Sequence, residues 1–304
     1  MFLRPLHLIP ADTKIDFVAK RWWAFSVSIF LVLVTIAALA VKGLNLGIDF
    51  KGGILIEAKA QETVDVAALR STLAGLNLGE ITLQQFGDPT DVMIRVQRQE
   101  GGDQAQMGAV QAVRDKLGTT YDYRRVEVVG PTVGSELLHA GILATILAMA
   151  AISLYVGLRF EWQFGVAALI ATFHDVLTTV GLYSVLQLDF NLTAVAALLT
   201  LAGYSINDTV VVFDRIREDL RRHKSSNLRD VINEAVNQTL SRTTMTAGTV
   251  LLVLLPLLFI GGPTLLNISA ALTWGIFVGT YSSIYVAAAF LLYMPPLRRI
   301  EKKS

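Results

Sequence analysis

Six stretches of this chain are too long and too apolar for a water-soluble core: Trp22–Val41, Leu137–Leu158, Trp162–Leu188, Phe190–Phe213, Thr243–Ile260 and roughly Ser269–Met294. A helix needs ~20 such residues to cross ~30 Å of hydrocarbon, so the runs predict a polytopic α-helical membrane protein with six spans. Composition agrees, because only 17% of the 304 residues are charged and mean hydropathy is +0.52, whereas a soluble domain carries ~25% charge. The first run has a second reading as a signal peptide, since Ala38-Leu39-Ala40 after a basic start resembles a cleavage site. Its length favours a span, as do Trp22 and Trp23, placed like interfacial anchors.

Lysine and arginine set the orientation. Residues 1–21 carry four (Arg4, Lys14, Lys20, Arg21), the 214–242 segment seven, the turn at Arg159 one, and the tail four (Arg298, Arg299, Lys302, Lys303). The short turns at 189 and 261–268 carry none. By the positive-inside rule both termini (1–21 and 295–304) and the 214–242 loop are expected in the cytoplasm, the loop carrying an amphipathic helical arm over Leu228–Leu240. The remaining ten basic residues lie in 42–136, a segment long enough to cross regardless of charge, hence expected in the periplasm.

Within 42–136 the hydrophobic period changes. Ile54–Lys59 and Asp91–Arg98 alternate as half-buried strands do, while Asp65–Leu76 and Gln104–Leu117 repeat apolar residues at helical spacing. Ile81–Phe86 and Tyr121–Val129 read as two further strands, with a turn at Gly87-Asp88-Pro89. The order β-α-β-β-α-β predicts a small ferredoxin-like α+β domain. Its mixed charges read as a solvated surface, or alternatively as a docking face for an unfolded chain or a partner.

The net charge of +1 argues against nucleic acid as a partner, and the absence of cysteine excludes disulfides, thiolate metal sites and cysteine catalysis. No serine–histidine–acid set, phosphate loop or HExxH is present, so neither enzymatic hydrolysis nor a metal or cofactor is expected. Function is better sought in intramembrane charge, where each group costs at least ~2.5–3.5 kcal/mol on insertion scales. His174 and Asp175 sit mid-span in the third run, Asn207 and Asp208 near the cytoplasmic end of the fourth, and Arg242 opens the fifth. Each has a plainer reading: a satisfied buried pair for His174–Asp175, an interhelical clamp for Asp208, a snorkelling arginine for Arg242. If the spans are neighbours, Asp208 and Arg242 meet at similar depth. Desolvation makes a carboxylate hold its proton and a nearby arginine makes it release one. Pairing and unpairing would then load and unload Asp208.

Gly47-Ile48-Asp49-Phe50-Lys51-Gly52-Gly53 resembles the GIDFxGG signature of the SecD/SecF family of bacterial protein-export membrane proteins, on its SecF side. Phe173-His174-Asp175-Val176, the run from Asn207 to Glu218 and the run from Asn233 to Thr243 match the same family in order. The resemblance implies membership of the resistance-nodulation-division (RND) superfamily, with six spans forming half of a twelve-helix core and a SecD chain supplying the rest. It implies use of the proton motive force to complete preprotein translocation through SecYEG, with YajC as companion. Proton coupling then falls to Asp208 and Arg242, with Asn207, His174 and Asp175 expected in the same proton-coupling set and the family's other transport aspartate on SecD, and the signature residues Gly47, Asp49, Phe50, Gly52 and Gly53 lie at the base of the exported domain. Two other readings stand beside this one: half of an RND exporter of small molecules or lipids, and a non-conducting scaffold subunit. The small size of the exported domain speaks against the first, and the burial cost of Asp208 and Asp175 against the second.

Overall fold

The computed structural model describes residue 10, residues 13–222 and residues 227–295. Arg4 and the basic tail residues used above for orientation lie outside these residues. Among the described residues, six helices are long and apolar enough to cross a membrane.

The first, α1 (Arg21–Val41), leads into a two-residue strand β1 (Asn45–Leu46) and a single helical turn α2 (Ile48–Lys51). The α+β domain follows as β2 (Gly53–Ala60), α3 (Val66–Ala74), β3 (Ile81–Gln85), β4 (Asp91–Val96), α4 (Gly102–Leu117) and β5 (Tyr121–Val129). Its antiparallel sheet has the order β3-β4-β2-β5, the ferredoxin-like arrangement expected from the alternation of periods. Ile54, Ile56, Val92, Ile94 and Val96 point from one face of the sheet onto Leu69 and Leu73 of α3 and Val110 and Val113 of α4. Helix α3 starts where Asp65 caps it, its carboxylate accepting from the Ala67 and Ala68 N–H groups at 2.9 and 3.1 Å.

The remaining spans are α5 (Pro131–Arg159), α6 (Trp162–Leu186), α7 (Leu192–Arg222), α8 (Leu228–Ile260) and α9 (Gly262–Ser282), with a two-residue strand β6 (Asp189–Phe190) between α6 and α7. After α9 one π-helical turn, Ser283–Ala287, precedes the final helical residues. Helices α6, α7 and α9 form the interior. Small residues let them approach: a side chain on Gly275 would strike Leu201, and one on Gly165 would meet Gly157 of α5 at 2.9 Å. Helix α1 belongs to the bundle as well, Thr35 lying directly over Gly181 of α6.

The 214–242 segment differs from the expected loop and arm. Helix α7 continues to Arg222, and α8 begins at Leu228 with Asn227 as its cap and runs unbroken to Ile260. The physical reason is that the arm's apolar stripe has a partner within reach. Ile232, Ala235 and Val236 pack against Val212, Phe213 and Ile216 of α7, so neither helix gains by breaking at the hydrocarbon edge. Phe17 and Val18, from the segment before α1, fill the same cluster.

Candidate functional site

The polar residues singled out in the spans fall into two groups with opposite character. In the first, the Asp175 carboxylate is satisfied on both oxygens, while Nε2 of its neighbour His174 is buried without a partner among the described residues. Asp175 of α6 is fully buried; its Oδ2 accepts from Ser205 of α7 at 2.6 Å and from Ser282 of α9 at 2.7 Å. Its Oδ1 lies 2.9 Å from Nδ1 of His174. One turn further along α7, Thr209 meets Ser283 at 2.9 Å, at the start of the π turn. A carboxylate with three partners from three helices joins those helices, and its hydrogen-bonding capacity is largely used. Neither serine stands in the sequence motifs that drew attention to Asp175.

The second group is unsatisfied. Asp208 is 2% exposed, and Thr246 of α8 donates to its Oδ1 at a long 3.3 Å, while Oδ2 has no protein partner. Tyr204, one turn before Asp208, has Thr246 as a hydrogen-bonding neighbour as well, and the buried hydroxyl of Thr243, one turn before Thr246, has no partner among the described residues. Nearly all buried polar atoms in folded proteins are paired, so a buried carboxylate with one free oxygen is a candidate for proton exchange. Arg242 comes from the neighbouring helix, which was the condition for its meeting Asp208, but it is exposed and makes no ion pair with Asp208. Asn207 is exposed too, on a strip of α7 shared with Ala196, Thr200 and Gly203. That strip is small and polar where the exposed faces of α1, α5 and α8 carry Phe30, Leu33, Leu147, Leu252 and Phe259. The site is thus open along one side, next to a surface unlike the rest of the lipid-facing exterior.

The glycine-rich signature lies at the other end of α7, and each residue has a visible task. Strands β1 and β6 pair in parallel, Asn45 with Asp189 and Leu46 with Phe190, and the Gly47 N–H donates to the Phe190 carbonyl at 2.8 Å. Gly47 passes so close that a side chain would meet Asn191 Cβ at 3.0 Å. Asp49 accepts from the Leu192 N–H at 2.9 Å, a carboxylate at the positive end of α7. Phe50 is buried against Phe190, ring centres 5.9 Å apart. Gly52 and Gly53 have φ of +73° and +122°, and a side chain on Gly53 would also strike the Val96 carbonyl at 2.7 Å. Arg95 of β4 forms an ion pair with Asp189, which also accepts from Asn45 at 2.8 Å. The domain therefore sits on the first turn of the helix that carries Asp208. Sequence reasoning missed Asp189, Arg95 and Asn45, because the ladder joining them spans more than 140 residues of chain.

The sequence profile of the protein export membrane protein SecD/SecF C-terminal region matches residues 109–296, and that of the SecD/SecF GG motif matches residues 37–64. Relatives include protein translocase subunit SecF of Rhodobacter capsulatus, 43% identical over 98% of this chain and 94% of its own length. Those of Magnetococcus marinus (46%, covering 93% of each chain) and Rickettsia prowazekii (40%, covering 100% of this chain and 98% of the relative) are similar throughout. Among solved structures, SecDF, a translocon-associated membrane protein from Thermus thermophilus, superposes with a TM-score of 0.84 at 35% identity. The match takes in 95% of this chain but 39% of that one, so the chain spans about two-fifths of the SecDF chain. A super-membrane-facing form of SecDF gives 0.69 at the same identity.

Proposed function

The chain belongs to the SecD/SecF family of protein-export membrane proteins and is a multi-pass accessory subunit of the Sec translocase in the inner membrane; we propose that it couples proton movement at Asp208 to the late stage of preprotein translocation. The observation that carries this reading is the contrast between the two buried aspartates. Both oxygens of Asp175 have hydrogen-bond partners, whereas Asp208 has a free oxygen and, on the next helix, an arginine that makes no ion pair with a described residue. Protonation removes the charge that would attract Arg242, and deprotonation restores it, so the pair has two arrangements. The gradient supplies ~2.3 kcal/mol per charge per 100 mV, enough to bias states separated by a few kcal/mol.

A SecD-type half covers the small, polar strip of α7 and brings Asn207 and the region of Asp208 to the centre of a twelve-helix core. Such a surface gains little from lipid but allows close helix packing. Both termini and the α7–α8 turn lie in the cytoplasm, and the α+β domain lies in the periplasm, where it can meet preproteins emerging from SecYEG. YajC is a further companion on the family's pattern.

The test is export into vesicles containing this chain and its SecD-type partner, with and without a proton gradient. Asp208→Asn keeps size and the Thr246 contact but cannot exchange a proton. It assembles normally and loses gradient-stimulated export. Export by Asp208→Asn at the wild-type level would overturn proton coupling at this residue and leave a scaffold.

A further inference from the structure

We propose that the turn joining α5 and α6 forms, with α7, a binding site for the phosphate headgroup of an anionic phospholipid. Two guanidinium groups share one aromatic ring there: Arg159 Cζ lies 5.3 Å and Arg217 Cζ 5.6 Å from the Phe160 ring centre. Both are held in place, by stacking on that ring and by a long contact from Arg217 Nη1 to the Arg159 carbonyl at 3.5 Å.

What distinguishes these arginines is their lack of acidic partners. Of the arginines on the same part of α7, Arg215 pairs with Glu218 at 2.6 Å and with Asp219 at 3.5 Å, and Arg222 pairs with Glu218 at 2.5 Å. Arg217 makes no ion pair with a described residue, although Asp214 stands one turn before it, and its buried Nε has no partner at all. Arg159 makes none either. Arg221, one turn beyond Arg217, adds exposed positive charge, and Glu161, the nearest acid in sequence, has an interaction of its own. Two like charges on one ring repel unless an anion lies between or beside them, and planar guanidinium groups suit phosphate oxygens.

The surroundings select a lipid over a free anion. Tyr155, Leu158 and Trp162, on the last turns of α5 and the first of α6, are 64%, 77% and 56% exposed. An acyl chain has apolar surface to lie on directly beside the cations, and Trp162 sits where an interfacial aromatic belongs. Basic pockets between spanning helices at the membrane surface bind lipid headgroups in this manner. The inference does not depend on the export reading, since headgroup binding is measured without translocation.

The full chain, purified in detergent and equilibrated with mixed phosphatidylglycerol and phosphatidylethanolamine micelles, tests it by native mass spectrometry. Wild-type chain retains phosphatidylglycerol in preference to phosphatidylethanolamine. Arg159→Gln and Arg217→Gln each lower that retention about fivefold, the effect of ~1 kcal/mol per basic residue at an anionic surface. Arg222→Gln, whose arginine is already paired, leaves it unchanged. Arg217→Lys keeps charge but not the stacked plane, and it retains an intermediate amount if folding is intact. Equal retention by wild type and the double glutamine variant would overturn the proposal. So would displacement of the lipid by millimolar inorganic phosphate, which would make this a site for a free anion.

Discussion

At the scale of single residues, the two intramembrane aspartates should fail in different ways. Asp175→Ala strips the acceptor from Ser205, Ser282 and His174 at once, and each lost bond to a charged group is worth ~1.5–3 kcal/mol. Its expected signature is a lower melting temperature and poor yield of the solubilised chain, and Asp208→Asn should melt like wild type. Equal melting of Asp175→Ala and wild type would contradict the joining role given to Asp175. The same scale accounts for the signature glycines. Gly53→Ala meets both a backbone angle that L-residues avoid and the Val96 carbonyl, so the domain should lose ~1–3 kcal/mol of stability in urea titration. The sequence marked both aspartates as costly, and it placed Arg242 on the helix beside Asp208. It had no means of separating a saturated carboxylate from an unsatisfied one, because Ser205 and Ser282 lie 30 and 107 residues from Asp175. Whether a buried charge is satisfied depends on long-range packing, which periodicity does not encode.

Elements carry the link between the surroundings of Asp208 and the α+β domain. A glycine-rich segment after a span suggests a loose tether on which the domain hangs and swings. The observed segment is instead docked, through the β1–β6 ladder, the Asp49 contact to α7, and the Arg95–Asp189 ion pair. It acts as a strut that makes the domain follow the first turn of α7. The lack of native cysteine makes this testable. Asn45→Cys with Asp189→Cys joins paired positions of the ladder, and oxidation should leave export equal to that of the reduced double variant. Oxidation that blocks export would show that the ladder must open, and the tether would stand. The apolar spans and the alternating strands were legible because each announces its own period and length. The two-residue strands were not, since no run that short has a period, nor was the continuity of the spans through the 214–242 segment, although the arm over Leu228–Leu240 was read as helical. The stripe of that arm was visible, but its partner was a helix already assigned to the membrane.

A feature of the whole molecule that no motif announces is the packing of the chain's start onto its α7–α8 hairpin. The side-chain amide of Asn237 accepts from the Ile15 N–H at 2.9 Å and donates to the Ile15 carbonyl at 2.8 Å, and Asn233 donates to Asp16 at 2.6 Å. Asn233, the Ala19 N–H and Arg229 together hold the Asp16 carboxyl below the usual aspartate range. A group whose folded value is lowered stabilises above its unfolded value and loses that contribution as pH falls through the folded one. The strap should therefore stay docked at neutral pH and loosen below about pH 4, as read by a spin label at Lys14, and Asp16→Asn should abolish that dependence. The strap packs on one end of the bundle, and the ladder fixes the other end to the α+β domain. The exposed strip from Ala196 to Asn207 lies on the helix that carries Asp208 and faces out of this chain. An arginine without its carboxylate and a carboxylate without its full set of partners are costly to leave beside lipid, so the chain alone is half of a working site. Purified by itself it should conduct no protons in vesicles at any gradient, and it should copurify with a SecD-type chain. Replacing Gly203 by Leu on the open strip should weaken that association without lowering the melting temperature of the isolated chain, since beyond its chain neighbours and its own helical backbone no described atom lies within 4 Å of the added Cβ position. Proton flux through the lone chain, or undiminished copurification of Gly203→Leu, would mean that the site is complete within its own six helices.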